Sequence, residues 1–280
     1  MKKFNVGIQL YGVRNAMAED FEGTLARVKE MGYDYVEFAG FFDKSADYIK
    51  SVLDKLGLKC VSCHANDTFF AENPEEKIAF LKTIGIKYSI IPWQPVEKLA
   101  GSPDWEATKA KFTDIANLLH DNGLMLGYHN HDFEFRKFEG KYLHDYIFEA
   151  IPADRIEPEL DTCWVHYAGI NPTEKIKEFD GRVHVVHLKD FDAKNLAAGP
   201  VYDLIDNSGK DIGAPKSREE NGFEFRPLGM GRQDFAAILK ACEECGTETL
   251  IVEQDKTYGD MTELEAAEIS RKYLKDTFNI

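Results

Sequence analysis

The strongest constraint on the fold is a repeated order in which a short apolar run precedes an amphipathic helix that ends in glycine. Five predicted helices end at a glycine that leads within a few residues into a run rich in β-branched or aromatic residues: Gly32, Gly57, Gly85, Gly123 and Gly246. Glycine adopts the left-handed conformation that ends a helix without steric cost. Strand–helix units of this kind, joined by short links, predict a parallel sheet.

Eight such units can close into a (β/α)8 TIM barrel, which leaves no exposed sheet edge. The alternative is an open doubly wound sheet, which would want a glycine-rich loop after the first strand. Residues 9–14, QLYGVR, are not such a loop. We therefore predict a single α/β barrel domain over residues 1–280. One long, polar segment, 190–232, interrupts the repeat of strands and helices after the seventh strand. We expect it to cover the active site, and a solvated insertion is the alternative.

Charge and cysteine content exclude several classes of protein. The net charge of −15 argues against binding to nucleic acid, which needs clustered basic residues. No apolar run approaches the roughly 20 residues of a membrane span, and the amino terminus lacks a signal peptide. Five cysteines, an odd number, indicate reduced thiols in the cytoplasm. The pairs Cys60/Cys63 and Cys242/Cys245 are too far apart along the chain for a zinc ribbon, so we expect structural cysteines.

In a barrel of this kind, catalytic side chains lie at the carboxyl ends of the strands. Four predicted strand ends carry side chains that bind metals: Glu134, Asp161, His187 and Glu253. Three carboxylates and one imidazole favour Mn²⁺ or Mg²⁺, while Zn²⁺ and Co²⁺ stay open. Strand alternation places His187 and His184 on opposite faces, so His184 is expected to pack elsewhere. For the cluster around His129 and His131, a hydrogen-bonded strand end without catalytic function is the alternative.

The chain resembles the xylose isomerase-like TIM-barrel family of sugar isomerases and epimerases over nearly its whole length. The resemblance is carried by YHNHDFEF (128–135), ELDTCW (159–164), VHLKD (186–190) and IVEQ (251–254), with weaker matches at 35–40 and 227–231. It implies that Glu134, Asp161, His187 and Glu253 hold one divalent ion. It also implies that Glu134 and Glu253 move a proton on either side of a carbon next to a carbonyl.

Other residues at the strand ends are predicted to bind the sugar or to orient the metal ligands: Glu37, His64, Trp93, His129, His131, Trp164 and Lys189. An aromatic side chain such as Trp93 suits stacking on a sugar face, with ordinary packing as the alternative. His129, His131 and Lys189 could bind hydroxyl groups or donate a proton, or could hold a ligand in place. The glycines of 229–231 could bind a phosphate through their amides.

Two departures from the family pattern bear on the reaction. Trp164 replaces a histidine found in the epimerases, and an arginine expected after His187 is missing. These departures weaken the assignment as a ketohexose 3-epimerase. They fit relatives that dehydrate inososes or cleave 3-keto-glycosides. They also count against an AP endonuclease, which needs more histidines and a basic groove.

We predict a cytoplasmic, metal-dependent sugar isomerase or epimerase, with a lyase or dehydratase as the alternative. A barrel that binds sugar without catalysis is less favoured. The resemblance suggests a homodimer.

Overall fold

A computed structural model describes residues 4–197 and 222–280, in which eight parallel strands close into a barrel. The strands in chain order are Asn5–Gln9 (β1), Tyr35–Ala39 (β2), Lys59–His64 (β3), Tyr88–Ile91 (β4), Met125–His129 (β5), Lys137–Phe138 (β6), Lys141–Tyr142 (β7), Ile156–Asp161 (β8), Val185–Leu188 (β9), Asp190–Asp192 (β10), Glu224–Arg226 (β11) and Thr249–Val252 (β12). The barrel order is β1, β2, β3, β4, β5, β8, β9 and β12. Because β12 pairs in parallel with β1, the sheet has no edge, and the predicted barrel is confirmed.

Helices surround the barrel and connect its strands. They are Arg14–Glu19 (α1), Phe21–Glu30 (α2), Ala46–Leu56 (α3), Pro74–Ile84 (α4), Trp105–Asp121 (α5), Leu143–Ala150 (α6), Thr162–Tyr167 (α7), Pro172–Glu178 (α8), Phe235–Glu244 (α9) and Glu263–Phe278 (α10). The predicted glycine stops are present, since Gly32, Gly57, Gly85, Gly123 and Gly246 all have positive φ. Ser45 caps α3 by accepting a hydrogen bond from the Tyr48 amide, a contact that typically stabilises by about 1 kcal/mol.

The barrel interior has two layers of different chemistry. Near the amino ends of the strands it is apolar, with Tyr88, Ile90, Val185 and Ile251 in mutual contact. Towards the carboxyl ends, the inward-facing positions carry ionisable side chains. Between the strands and the helices lies a larger apolar core, to which nearly every helix contributes. The polar inner layer is therefore enclosed on its sides and floor by apolar packing.

The segment after β9 differs in part from the prediction. Its described ends form an antiparallel ladder, β10 with β11, and Phe191, Phe223 and Phe225 are buried there. The expectation that this segment is too polar for a core is thus wrong at both ends, because the phenylalanines pack on Trp164 and Tyr167 of α7. Residues 198–221 lie outside the described residues, and so does the expectation that they cover the site.

Three further helices, in two places, were not predicted from the sequence. The stretch after β1 forms a 3-10 helix at Leu10–Val13 followed by α1. Helix α7 begins directly at the end of β8, where the Asp161 carboxylate accepts hydrogen bonds from the amides of Cys163 and Trp164. In both places tertiary contacts stabilise helices too short to be stable alone.

All five cysteines are buried and none forms a disulfide, in agreement with the expected structural role. Neither group of potential metal ligands found among residues 4–197 and 222–280 includes a cysteine. Over the same residues, the helices are too short or too polar to span a bilayer.

Candidate active site

The carboxyl ends of the barrel strands bring together an unusual number of buried polar groups. They are Gln9, Glu37, Ser62, His129, Glu159, Asp161, His187, Lys189, Glu253 and Asp255, joined by the half-buried His64. The register explains the convergence, since Glu159 on β8 lies beside His129 on β5, and Asp161 lies beside His187 on β9. Side chains at equivalent positions on neighbouring strands point the same way, so these groups meet at the barrel axis.

The deepest member of this cluster is Glu37 on β2. Its carboxylate accepts hydrogen bonds from Gln9 Nε2 (2.6 Å) and the Ser62 hydroxyl, and it lies 2.8 Å from His187 Nε2. Burial, followed by the nearby charge of Glu159, raises the pKa of Glu37, while His187 opposes that rise. Glu37 is completely buried. In this arrangement the Glu37 carboxylate contacts the His187 ring, and its role in substrate binding stays a prediction.

A second buried carboxylate, Glu159, is shared among three histidines. Its Oε2 lies 2.7 Å from His64 Nε2, 3.0 Å from His129 Nδ1 and 3.1 Å from His187 Nε2. Burial alone would raise the pKa of Glu159, but the charges of His187 and His64 lower it well below its usual range. The other oxygen, Oε1, has no hydrogen-bond partner among residues 4–197 and 222–280. A buried carboxylate oxygen without a donor favours a cation or a proton nearby.

Nearer the barrel mouth, Lys189 is surrounded by carboxylates. Its ammonium lies 2.9 Å from Asp161 Oδ2, 3.0 Å from Glu253 Oε2 and 2.9 Å from Asp255 Oδ1. The same Glu253 oxygen lies 2.9 Å from His187 Nδ1. Burial raises the pKa of Asp161 to about 6, against the opposing charge of Lys189. This part of the site therefore concentrates negative charge around one positive group.

Four of these residues have the geometry of a metal site. One donor atom from each lies within 4.8 Å of the others in the group His129, Asp161, His187 and Glu253. A second group with the same spacing consists of His64, His129, Glu159 and His187. Two imidazoles and two carboxylates suit a divalent transition metal. The position of the Lys189 ammonium against two of the upper carboxylates shows that a cation is stabilised there.

The structure brings three of the four sequence-predicted ligands together and keeps the fourth apart. Glu134 lies in a 3-10 helix, Phe133–Phe135, that turns away after β5. Its carboxyl accepts hydrogen bonds from the Tyr128 hydroxyl and the His131 amide, both at 2.8 Å. Tyr128 faces outward onto Phe112 of α5, which explains the direction. Burial raises the pKa of Glu134 to about 8, and in this conformation its carboxyl lies outside both groups of potential metal ligands among the described residues.

An open cavity of about 400 Å³ lies directly above the ionisable cluster. It is lined by Tyr11, Ala39, Gly40, His64, Asn66, Pro92, Trp93, His129, His131, Lys189 and Glu253. This volume accommodates a sugar-sized ligand. The expected substrate residues His64, Trp93, His129, His131 and Lys189 thus share one cavity. Trp164 does not line it, because its ring is fully buried and stacks on Phe223 at 5.4 Å.

The histidines of the cavity lie in opposite electrostatic environments. Burial lowers the pKa of His131 well below its usual value and lowers that of His129 to about 3. For His64, burial would lower the pKa, but the carboxylates of Glu37 and Glu159 raise it. One cavity therefore contains imidazoles that are neutral and another that tends to keep its proton.

Sequence reasoning missed four residues of the cluster: Gln9, Ser62, Glu159 and Asp255. The signal for two of them was present in the sequence. Glu159 stands two residues before Asp161 and Asp255 two residues after Glu253, and in an extended chain such pairs share a face. Gln9 ends β1, whose tip was not considered as part of the site.

The chain belongs to the family described as xylose isomerase-like TIM barrel, whose model matches residues 25–277. An inosose dehydratase of Clostridium botulinum is 22% identical over 281 residues, covering 93% of this chain and 90% of that protein. A solved structure described as a sugar phosphate isomerase/epimerase from Parabacteroides distasonis has a TM-score of 0.75 and 20% identity. That alignment covers 97% of this chain and 98% of the other.

A structure of the protein IolI with a bound zinc atom has a TM-score of 0.69 and 17% identity, covering 97% of both chains. The predicted family is thereby confirmed. So is the prediction of an enzyme of this superfamily, because both isomerases or epimerases and dehydratases are found among its relatives. The described residues contain a cluster that can hold a divalent metal ion.

Proposed function

We propose that this protein is a metal-dependent lyase that removes water, or an alcohol, from a cyclic keto-polyol or keto-glycoside. The observation that carries the proposal is the pair His131 and His64, which line one cavity above the metal-type cluster but have opposite pKa shifts. Two titratable groups whose environments push their pKa values apart are a general mark of a base and an acid. Similarity to inosose dehydratases supports the same reaction class.

We assign the divalent ion to His129, Asp161, His187 and Glu253. When bound there, it supplies positive charge that stabilises the negative oxygen of an enolised ketone. Two imidazoles among the ligands favour Mn²⁺, or Zn²⁺ in competition, over Mg²⁺, which prefers oxygen ligands. Glu37 and Glu159 hold the rings of His187 and His129 in position. Glu134 joins the ligands only if the Phe133–Phe135 turn rearranges when the metal binds.

In the proposed reaction, the neutral His131 imidazole accepts the proton from the carbon next to the carbonyl. The electron pair of that bond forms the carbon–carbon double bond, and the hydroxyl or alkoxyl group at the next carbon leaves. His64 gives its proton to that leaving group, so that water or an alcohol is released and an enone remains. Lys189 and Trp93 bind the substrate from two sides of the cavity. No oxidant or reductant is required.

An isomerase or epimerase is the second candidate, because the same proton is removed in the first step. The family's two-glutamate mechanism would need Glu134 and Glu253 on opposite sides of the carbon. Of these two glutamates, Glu253 lines the described cavity and Glu134 does not. The isomerase proposal therefore depends on the same rearrangement of the Phe133–Phe135 turn.

The test uses the Mn²⁺-loaded protein with scyllo-inosose and with 3-keto-glucosides in D₂O. Enone absorbance together with solvent deuterium exchange is the expected result, and His131→Gln should lose it by about a hundredfold or more. His166→Gln is the matched control, because His166 contacts Gln233 and does not line the cavity. Deuterium exchange without loss of a group would favour the isomerase. Sugar binding without exchange would indicate a non-catalytic barrel.

The cellular setting is proposed from composition and burial. Five buried, unpaired thiols suit a reducing compartment, so we propose a cytoplasmic protein. A small sugar is the proposed partner, with no nucleic acid and no membrane, because the net charge of −15 disfavours anionic surfaces. A homodimer is retained from the family resemblance. Size-exclusion chromatography with light scattering tests it.

A further inference from the structure

The carboxylate of Asp190, at the start of β10, is bound by four backbone amides. Oδ2 accepts hydrogen bonds from the amides of Gly229 (3.0 Å) and Gly231 (2.9 Å). Oδ1 accepts from the amides of Phe191 (2.9 Å) and Gln233 (3.2 Å). The side chain is completely buried. Four convergent N–H groups are the donor arrangement that binds anions such as phosphate in proteins.

The glycines of this turn are required by the carboxylate. A Cβ atom on Gly231 would lie 2.2 Å from Asp190 Oδ1 and 2.5 Å from its Cγ, which is impossible without moving the aspartate. Gly229 has a φ of +83°, and a Cβ there would lie within 2.3 Å of the Tyr273 ring. The sequence motif that suggested a phosphate site is therefore explained by a close contact inside the protein.

This turn occupies the place where barrel enzymes often bind the phosphate of their substrate, in the loops that follow the seventh and eighth strands. At the amino end of the following helix, α9, the Asp234 side chain accepts a hydrogen bond from the Ala237 amide. Carboxylates of this chain thus occupy the four amides around Asp190 and one amide at the start of α9. A phosphate brought to this turn would meet like charge.

The charged residues of the cavity lining also disfavour a phosphate group. Its only charged members, apart from histidine, are Lys189 and Glu253 among the described residues. Lys189 already contacts the carboxylates of Asp161, Glu253 and Asp255. The one lysine of the described lining is therefore balanced by three carboxylates, whereas a phosphate ester would need an excess of positive charge.

We infer that the substrate carries no phosphate group, and that Asp190 is the residue that excludes phosphate by filling the amide cradle itself. The inference rests on the proposed function for the identity of the substrate as a keto-sugar or keto-polyol. It narrows that class to uncharged molecules such as free ketoses, inososes and keto-glycosides. Asp190 acts on specificity through the cradle and does not touch the reacting atoms.

The first test needs no variant. Solvent deuterium exchange by the Mn²⁺-loaded wild-type protein is compared between D-fructose and D-fructose 6-phosphate, and between scyllo-inosose and its phosphate ester. We expect kcat/KM to be lower for the phosphate esters by on the order of tenfold or more. Equal or faster exchange with a phosphate ester would overturn the inference and leave the proposed function standing.

The second test is independent of turnover. Calorimetric titration with inorganic phosphate should show no binding to the wild-type protein at millimolar concentration. Asp190→Ala should bind phosphate at least about tenfold more tightly, because its amides are released. Asp192→Ala, an exposed aspartate two residues away on β10, is the matched control and should behave as wild type.

Phosphate binding by the wild-type protein at millimolar concentration would contradict the inference. A folded Asp190→Ala protein that fails to bind phosphate would contradict the role of Asp190; circular dichroism establishes folding. If Asp190→Ala does not fold, the wild-type phosphate titration and the comparison of sugars with their phosphate esters still test whether the protein excludes phosphate. If no sugar exchanges at all, the proposed function fails, while the phosphate titration continues to test the cradle.

Discussion

A buried histidine has a raised pKa inside the barrel and a lowered pKa in the layer between the barrel and its helices. His187, inside the barrel, and His144, on α6, are both completely buried. The carboxylates of Glu159 and Glu37 raise the pKa of His187 well above its usual value, although burial opposes this. For His144, burial dominates and lowers the pKa to about 4, with only partial compensation by Asp145.

The difference lies in what surrounds each ring. His144 packs on Phe135, Phe148 and Phe179, so a charge on it would be poorly solvated. His187 meets carboxylates at both ring nitrogens. The aromatic rings around His144 favour its neutral form, whereas the carboxylates around His187 favour its protonated form. This contrast locates the candidate active site without reference to any relative.

The largest expected effect is on metal binding. Asp161→Asn removes a carboxylate from the upper cluster and should abolish tight metal binding. Deuterium exchange should fall by on the order of a thousandfold. Metal content after gel filtration, measured by mass spectrometry, checks the first expectation. Glu157→Gln is the control, because Glu157 lies on the same strand but pairs with His184 below the site. Equal loss in both variants would contradict the assignment.

The next effect concerns pH and stability. The pKa of His144 is about 4 in the folded protein and about 6.5 in the unfolded chain. Protonation therefore favours the unfolded chain, and the stabilisation of the folded protein by neutral His144 is complete above pH 6.5 and is lost as the pH falls towards 4. The full difference corresponds to about 3 kcal/mol. Urea unfolding at pH 7 and pH 4 should show a smaller acid loss in His144→Leu than in the wild type. His120→Gln, at an exposed position on α5, should keep the wild-type loss. Equal acid losses in His144→Leu and wild type would contradict the prediction.

A third experiment decides which residue completes the metal site. His129→Gln should weaken Mn²⁺ binding by about ten- to a hundredfold, because a ligand is lost. Glu134→Gln should leave it nearly unchanged, since the Glu134 carboxyl bonds Tyr128 and the His131 amide. Isothermal titration measures both. The reverse order would establish the ligand set expected from the sequence and a rearranged turn after β5.

The smallest effect compares two buried lysines, one in each layer. Lys189→Met removes the ammonium from the upper cluster, so Mn²⁺ should bind about tenfold more tightly, because the carboxylates lose their competing cation. Lys175→Met, in the helix layer beside Asp145 and Glu178, should not change Mn²⁺ affinity. Weaker binding in Lys189→Met would show that Lys189 supports the ion instead of competing with it.

Local signals in the sequence determined the barrel and much of its site. Strand alternation and glycine helix stops depend on neighbouring residues only, which is why the eight strands, Gly57 and Gly85 were predicted. The same locality placed Asp161, His187 and Glu253 at strand ends. These three need only a parallel barrel to meet, and the barrel followed from the repeat.

Tertiary structure alone decided the rest. Whether Glu134 reaches the cluster depends on the path of the chain after β5, where its carboxyl bonds the Tyr128 hydroxyl and the His131 amide. Whether the glycines of 229–231 hold a phosphate depends on Asp190, about forty residues earlier, reaching into their amides. Such outcomes depend on contacts between distant residues that compete for the same donor or space, and local sequence patterns do not show which contact prevails.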